Sequence, residues 1–182
     1  MYRDDLALTA PKTIDYGVDR PTRGLMSAYT YRMLLLQGFS RDDVVHNPNV
    51  SLLARWTPFA CGCLGALGLS LRSPAYLWAL GMLTLMGAVS SRSFYDYLYQ
   101  ACLRPLTGLG EMPRHGPPRR FGCAIGALLF ILSGTGFYLQ RPMLSFIPAL
   151  IIIPLAFGAA FTQWCFASAL YRLLSGKKAD CC

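Results

Sequence analysis

Hydrophobic and polar positions divide this chain into three regimes. Residues 1–22 are polar and are interrupted by Pro11, Gly17 and Pro21, a pattern that predicts extended or loop-like chain. From residue 23 onward Leu25, Met26, Tyr29, Met33 and Leu36 return at helical spacing, with Gly38 placed as a stop, which predicts an amphipathic helix over about residues 23–37. Arg23 and Arg32 make this helix too polar to span a bilayer, so it is expected at the membrane surface or on a partner chain. Ser40 with Asp43 starts a further short turn of helix, and Asn47-Pro48-Asn49 ends it. Polar positions then nearly vanish. Residues 121–170 contain no acidic or basic residue except Arg141, and about 20 apolar residues suffice for a helix to cross a hydrocarbon core of about 30 Å.

Four spans follow from this pattern, at about residues 56–71, 74–91, 121–139 and 143–170. Arg55 and Arg72 bracket the first, which is short and would be accommodated by lipid thinning or by snorkelling arginines. Arg72-Ser73-Pro74 and Gln140-Arg141-Pro142 are tight turns, so the spans pair as two antiparallel hairpins. The hairpins align as an internal repeat, with Cys102-Leu103-Arg104 opposite Leu170-Tyr171-Arg172 at the same offset as the two turns. Between them residues 92–120 read as an aromatic interfacial stretch followed by a stiff Gly/Pro loop, with Arg114, Arg119 and Arg120 directed at lipid phosphate or a partner. Pro148 and Pro154 predict a kink in the last span. The expected fold class is therefore an all-α integral membrane protein. It divides into a polar arm (1–46), a four-helix membrane domain (47–174) and a basic tail (175–182).

Composition agrees: 54% of residues are hydrophobic and 14% charged, against roughly a quarter charged in soluble domains. The net charge of +8 does not point to nucleic acid, because the basic residues flank apolar spans, where they set topology and meet anionic lipid. Asp4 and Asp5, with no apolar core in the first twenty residues, predict no cleavable signal peptide. Lys and Arg concentrate in the arm, the central loop and the tail, while the hairpin turns hold only Arg72 and Arg141. Both termini are thus expected in the cytoplasm, with the chain in a bacterial inner membrane or an equivalent internal membrane.

The expected spans hold no Asp, Glu, Lys, Arg or His, whereas transporters generally place an ionisable group at membrane depth. Gln163, Thr84 and Thr135 are the most polar groups there, which leaves a small-molecule carrier as a distant reading. His46 and His115 fall in polar segments, not facing each other across the bundle, so no haem ligand pair is expected. Cys61 and Cys63 point about 200° apart on a helix and cannot chelate one metal. No metal or cofactor is expected, although a bound lipid or pigment fits the class. Gly62 and Gly65 on the first span, and Gly122 and Gly126 on the third, provide small faces for helix packing. Cys181-Cys182 beside Lys177 and Lys178 has the form of a lipidated end.

Asn49-Val50 before Leu53-Ala54-Arg55, the segment Arg92-Ser93-Phe94-Tyr95, Pro117-Pro118-Arg119-Arg120-Phe121-Gly122, and Cys165 ahead of Tyr171-Arg172 together resemble the bacterial membrane family DUF4395. The resemblance spans about residues 47–174, leaving the first 46 residues as an addition. Members commonly carry C-x-x-C ahead of that Tyr, which implies thiol-redox chemistry; Ser168 occupies the second position here. Two functional expectations result. One is a non-catalytic accessory subunit of a larger membrane assembly, for instance a photosynthetic or respiratory one. It would clamp other membrane subunits through Leu25, Met26, Tyr29, Arg32, Met33 and Leu36 of the arm and through Arg114, Arg119 and Arg120. The other is a thiol-redox protein with Cys165 as its reactive group and Cys61, Cys63 or Cys123 as resolving partners.

Overall fold

The computed structural model describes residues 27–47, 49–90, 92–113 and 116–175. Among them all regular structure is helical: α1 (Ala28–Leu36), α2 (Arg41–His46), α3 (Val50–Leu71), α4 (Pro74–Val89), α5 (Phe94–Leu98), a π-helical turn (Tyr99–Leu103), α6 (Arg104–Thr107), α7 (Pro117–Tyr138), α8 (Pro142–Thr162) and α9 (Phe166–Ser175). Helices α3, α7 and α8 are long and apolar enough to cross a membrane, and α4 joins α5 and α6 as a fourth, bent unit. This is an all-α integral membrane protein.

The arrangement of α3, α4, α7 and α8 can be read from their glycines. A methyl on Gly81 of α4 would lie 2.7 Å from Ile131 of α7, and one on Gly134 of α7 would lie 2.8 Å from Trp78 of α4. These helices therefore run antiparallel at backbone-limited distance. Gly65 of α3 fits beneath the Phe130 ring of α7 and faces Ile153 of α8, while Gly62 meets Phe157 of α8. The two hairpin turns consequently lie at one end of the bundle. All the remaining elements gather at the other, broad end. Helices α3 and α4 meet beside their turn, where Gly68 abuts Leu77 and Tyr76, and separate toward the broad end.

That separation is filled by α5. Tyr95 and Asp96 are completely buried. The Trp56 indole donates to the Tyr95 carbonyl (2.9 Å) and the Tyr95 hydroxyl pairs with Thr84 Oγ1 (2.7 Å). The expectation of an interfacial loop over 92–120 is thus corrected. Its first half is a folded wedge between α3 and α4, because Asp96 at the third position of α5 accepts from the Ser93 backbone N–H (2.6 Å) and starts a helix there.

Span boundaries are corrected as well. Helix α3 begins at Val50, six residues before the expected start, because Arg55 sits on its exposed side and need not end it. With 22 residues it reaches about 33 Å, so no lipid thinning is required. The second span stops at Val89, and α7 starts at Pro117. The last apolar run breaks at Gln163, whose φ of 58° turns the chain before α9. Helix α8 runs on through Pro148 and Pro154. The amphipathic helix begins only at Ala28, capped by Ser27, whose hydroxyl accepts from the Thr30 N–H; residues 23–26 lie outside the described part. Gly38 does stop it, at φ 91°, and its carbonyl packs so closely on Gly116 that any Cβ there would collide.

Candidate functional site

Several buried polar groups of the described residues converge at the broad end, where three clasps tie the arm, the wedge, the end of α4 and the α8–α9 break to the bundle. The first begins with Pro58 in α3. Proline has no N–H, so the Ala54 carbonyl one turn earlier loses its intrahelical donor. Arg119, in the first turn of α7, takes over that role with Nη2 at 3.1 Å. Its guanidinium also lies over the Phe39 ring at 4.9 Å, which ties in the link between α1 and α2. On the neighbouring turn Thr57 donates to Asp96 Oδ1 at 2.9 Å. The Asp96 carboxylate lies within electrostatic reach of Arg119, so a buried anion and a buried cation face the same stretch of α3.

The second clasp is Arg120. Its Nε and Nη2 reach the carbonyls of Ala88 (2.9 Å) and Val89 (2.6 Å), two of the orphan acceptors at the end of α4. In the third, Gln163 donates through Nε2 to Ser51 Oγ (2.6 Å) and to the Ser51 carbonyl (3.1 Å), while Gln37 donates to the Gln163 carbonyl (2.5 Å). The arm, α3 and the α8–α9 break thereby meet at one point.

The expected partner-facing residues separate accordingly. Arg119 and Arg120 are directed into their own chain, because backbone carbonyls freed by a proline and by a helix end demand donors there. Tyr29 and Arg32 remain exposed. Met33 and Leu36 are half-buried and line a narrow crevice with Gln37, Gln163, Cys165 and Ser168. Leu34 is fully buried against Phe39, Val44, Val50 and Ala54, so α1 is anchored on its own bundle. Leu25, Met26 and Arg114 lie outside the described residues, as does the 176–182 end of the tail. Of the packing glycines, Gly62, Gly65 and Gly122 are in tight contact, whereas Gly126 has ordinary van der Waals clearance.

The cysteines fall into two groups. Cys63 and Cys102 are exposed, which removes Cys63 from the set of resolving partners, since it faces away from the bundle. Cys61 hydrogen-bonds with the Tyr95 side chain. Cys123 lies beside Gly87 and Ser93, in electrostatic reach of Cys61, Arg119 and Cys165. All five described cysteines are free thiols. Among the described residues no three His, Cys, Asp or Glu side chains gather as a metal site.

Sequence reasoning missed Asp96, Thr57, Ser51 and Gln37. The signals for Asp96 were present, in Ser93-x-x-Asp96 as a capping pattern and in Pro58 as the source of a carbonyl that needs a partner.

Apolar helices at membrane-spanning length, latched at one end by buried polar clasps, define a multi-span helical membrane protein. The model of the family described as "Domain of unknown function (DUF4395)" matches residues 51–175, and the chain belongs to that family. No curated protein and no solved structure matches it.

Proposed function

We propose that this protein is a non-catalytic accessory subunit of a larger membrane assembly in a bacterial inner membrane, with the broad end and both termini in the cytoplasm. What supports this reading is that the hydroxyls of Thr84, Ser133 and Thr135, inside the spans, are engaged within the chain. Thr84 bonds Leu80 and Tyr95, Ser133 bonds Ser145, and Thr135 bonds Ile131 while accepting from Trp78. A carrier needs groups free to meet its cargo, whereas a scaffold needs a filled, rigid interior. Partner contacts would come from the outward Tyr29–Arg32 edge of α1 and from the arm before it.

Mild-detergent extraction of native membranes, followed by native separation and mass spectrometry of comigrating chains, tests the proposal. Stoichiometric partner chains are expected; migration at monomer or homodimer size would overturn it. Truncation refines the test. Residues 27–46 are built into the fold through Leu34, Phe39 and Val44, so deletion of residues 1–26 is the variant that weakens assembly while leaving the bundle intact.

A second reading, as a thiol-redox protein, is supported by the free Cys165 thiol lining the crevice between α1 and α9. It requires Cys165 to label with maleimide in native membranes, and Cys165→Ser to change a phenotype.

A further inference from the structure

We infer that the groove between the start of α3, the end of α8 and the 99–109 segment is a binding site for one acyl chain of an anionic phospholipid, with Arg55 holding the head-group phosphate. The groove has a volume of about 290 Å³ and opens onto the outer surface. Its walls are aliphatic and aromatic, built by Leu52, Phe59, Leu103, Leu109 and Phe161 over a floor that includes Trp56 and Tyr99.

Three features select the occupant. Polar atoms in the walls are already engaged inside the protein: Trp56 Nε1 on the Tyr95 carbonyl, the Tyr99 hydroxyl on the Gly110 carbonyl, and Thr107 Oγ1 on the Leu103 carbonyl. Apart from Arg55 at one side, a polar small molecule would therefore find no donor to orient it. The space is also too small for a helix, whose diameter with side chains is about 10 Å. At ~30 Å³ for a water-sized group it holds about ten, and a methylene is of similar bulk, so a stretch of acyl chain fits. Finally, Arg55 is the one charged residue in the lining, is exposed, and makes no ion pair or hydrogen bond among the described residues. It sits near the broad end of α3, where a long basic side chain reaches head-group level.

The test uses full-length protein in phosphatidylcholine bilayers, with Trp78→Phe and Trp164→Phe leaving Trp56 as the fluorophore. Mid-chain-brominated phosphatidylglycerol or brominated phosphatidylcholine is titrated in as quencher. Phosphatidylglycerol should half-saturate at about five-fold lower mole fraction, the ratio that one basic residue near the surface provides. Arg55→Gln should abolish that difference and keep the quenching. Thr107→Phe, which fills the groove from its exposed rim, should reduce quenching by both lipids. A protein retaining only Trp78, near the opposite end, should show no head-group preference. Equal half-saturation for the two lipids at Trp56, insensitivity to Arg55→Gln, or the same preference at Trp78 would each overturn the assignment. Absence of quenching at Trp56 would overturn it too, and would mean that protein closes the groove.

Discussion

Replacing Arg119 by methionine keeps an unbranched apolar stem of shorter reach and removes the charge and donors, and the structure sets the size of the effect. The Ala54 carbonyl would be left without a donor, which costs about 1–3 kcal/mol for a buried group. Asp96 would also lose the cation within its electrostatic reach, which adds to that cost but by less than a broken contact ion pair would. A total near the top of that range, about 2–3 kcal/mol, is expected. The causal claim can be isolated with Pro58→Ala, which returns an N–H to the Ala54 carbonyl from within α3. In that background Arg119→Met should cost about 1–2 kcal/mol less, because the carbonyl no longer depends on it. Unfolding by SDS in mixed micelles, followed by the helical circular dichroism signal, measures all four corners of the cycle. A cost below about 1 kcal/mol for Arg119→Met, or an identical cost in both backgrounds, would refute the reasoning.

Three further outcomes are expected. Gly136→Ala would put a methyl 2.3 Å from the Ser145 nitrogen, in backbone that cannot yield, whereas the same change at Gly158 meets nothing within 4 Å; detergent thermal-shift assays should show a loss of several degrees for the first and none for the second. Gln163→Asn keeps a residue that tolerates positive φ but shortens the reach to Ser51, so about 1–3 kcal/mol of stability is lost. Faster proteolysis between α8 and α9 reports it, and unchanged cleavage would contradict the clasp. Cys102, exposed at the broad end, should label with a membrane-impermeant maleimide from the cytoplasmic side alone, in protein with the other cysteines replaced; labelling from the outside would reverse the proposed orientation.

Much of the architecture could be read from apolar runs and turn residues, and what escaped was long-range pairing. The turns at Arg72-Ser73-Pro74 and Gln140-Arg141-Pro142, the Gly38 stop and the Ser40–Asp43 start all stand where local chemistry puts them. Arg55 was misleading as a border, because near the end of a span an arginine on the lipid face can extend to head-group level without ending the helix. Arg119 and Arg120 follow two prolines in a polar-looking stretch, and nothing local to them indicates that Pro58 and the end of α4 supply acceptors. Gln163 is neither Gly nor Pro, so the break it makes depends on a side chain bonded to Ser51, more than a hundred positions away. Local rules place elements, whereas clasps are properties of the assembled bundle.

The assembled bundle also bears on the repeat. Exchanging the first hairpin with the second maps the α3–α8 pair onto the α7–α4 pair, both antiparallel packings between the hairpins. Gly68 against Tyr76 and Leu77 becomes Gly136 against Leu144 and Ser145, matching positions at the repeat offset. The chain after each hairpin obeys the same exchange: α9 corresponds to residues 98–107, whose Tyr99 packs on Leu53 and Trp56 of α3 as α9 packs on α7. Ser51 and Arg119 are equivalent under it, and each serves the break in the opposite or neighbouring unit: Ser51 accepts from Gln163, and Arg119 lies within reach of Asp96. The departure from symmetry is therefore chemical rather than topological. One copy latches its break with neutral hydrogen bonds and the other with buried charges, whose desolvation makes them more demanding of a complete set of partners. Disruption of the Asp96–Arg119 side should accordingly be the more damaging of the two, and the comparison of Arg119→Met with Gln163→Asn measures that difference directly.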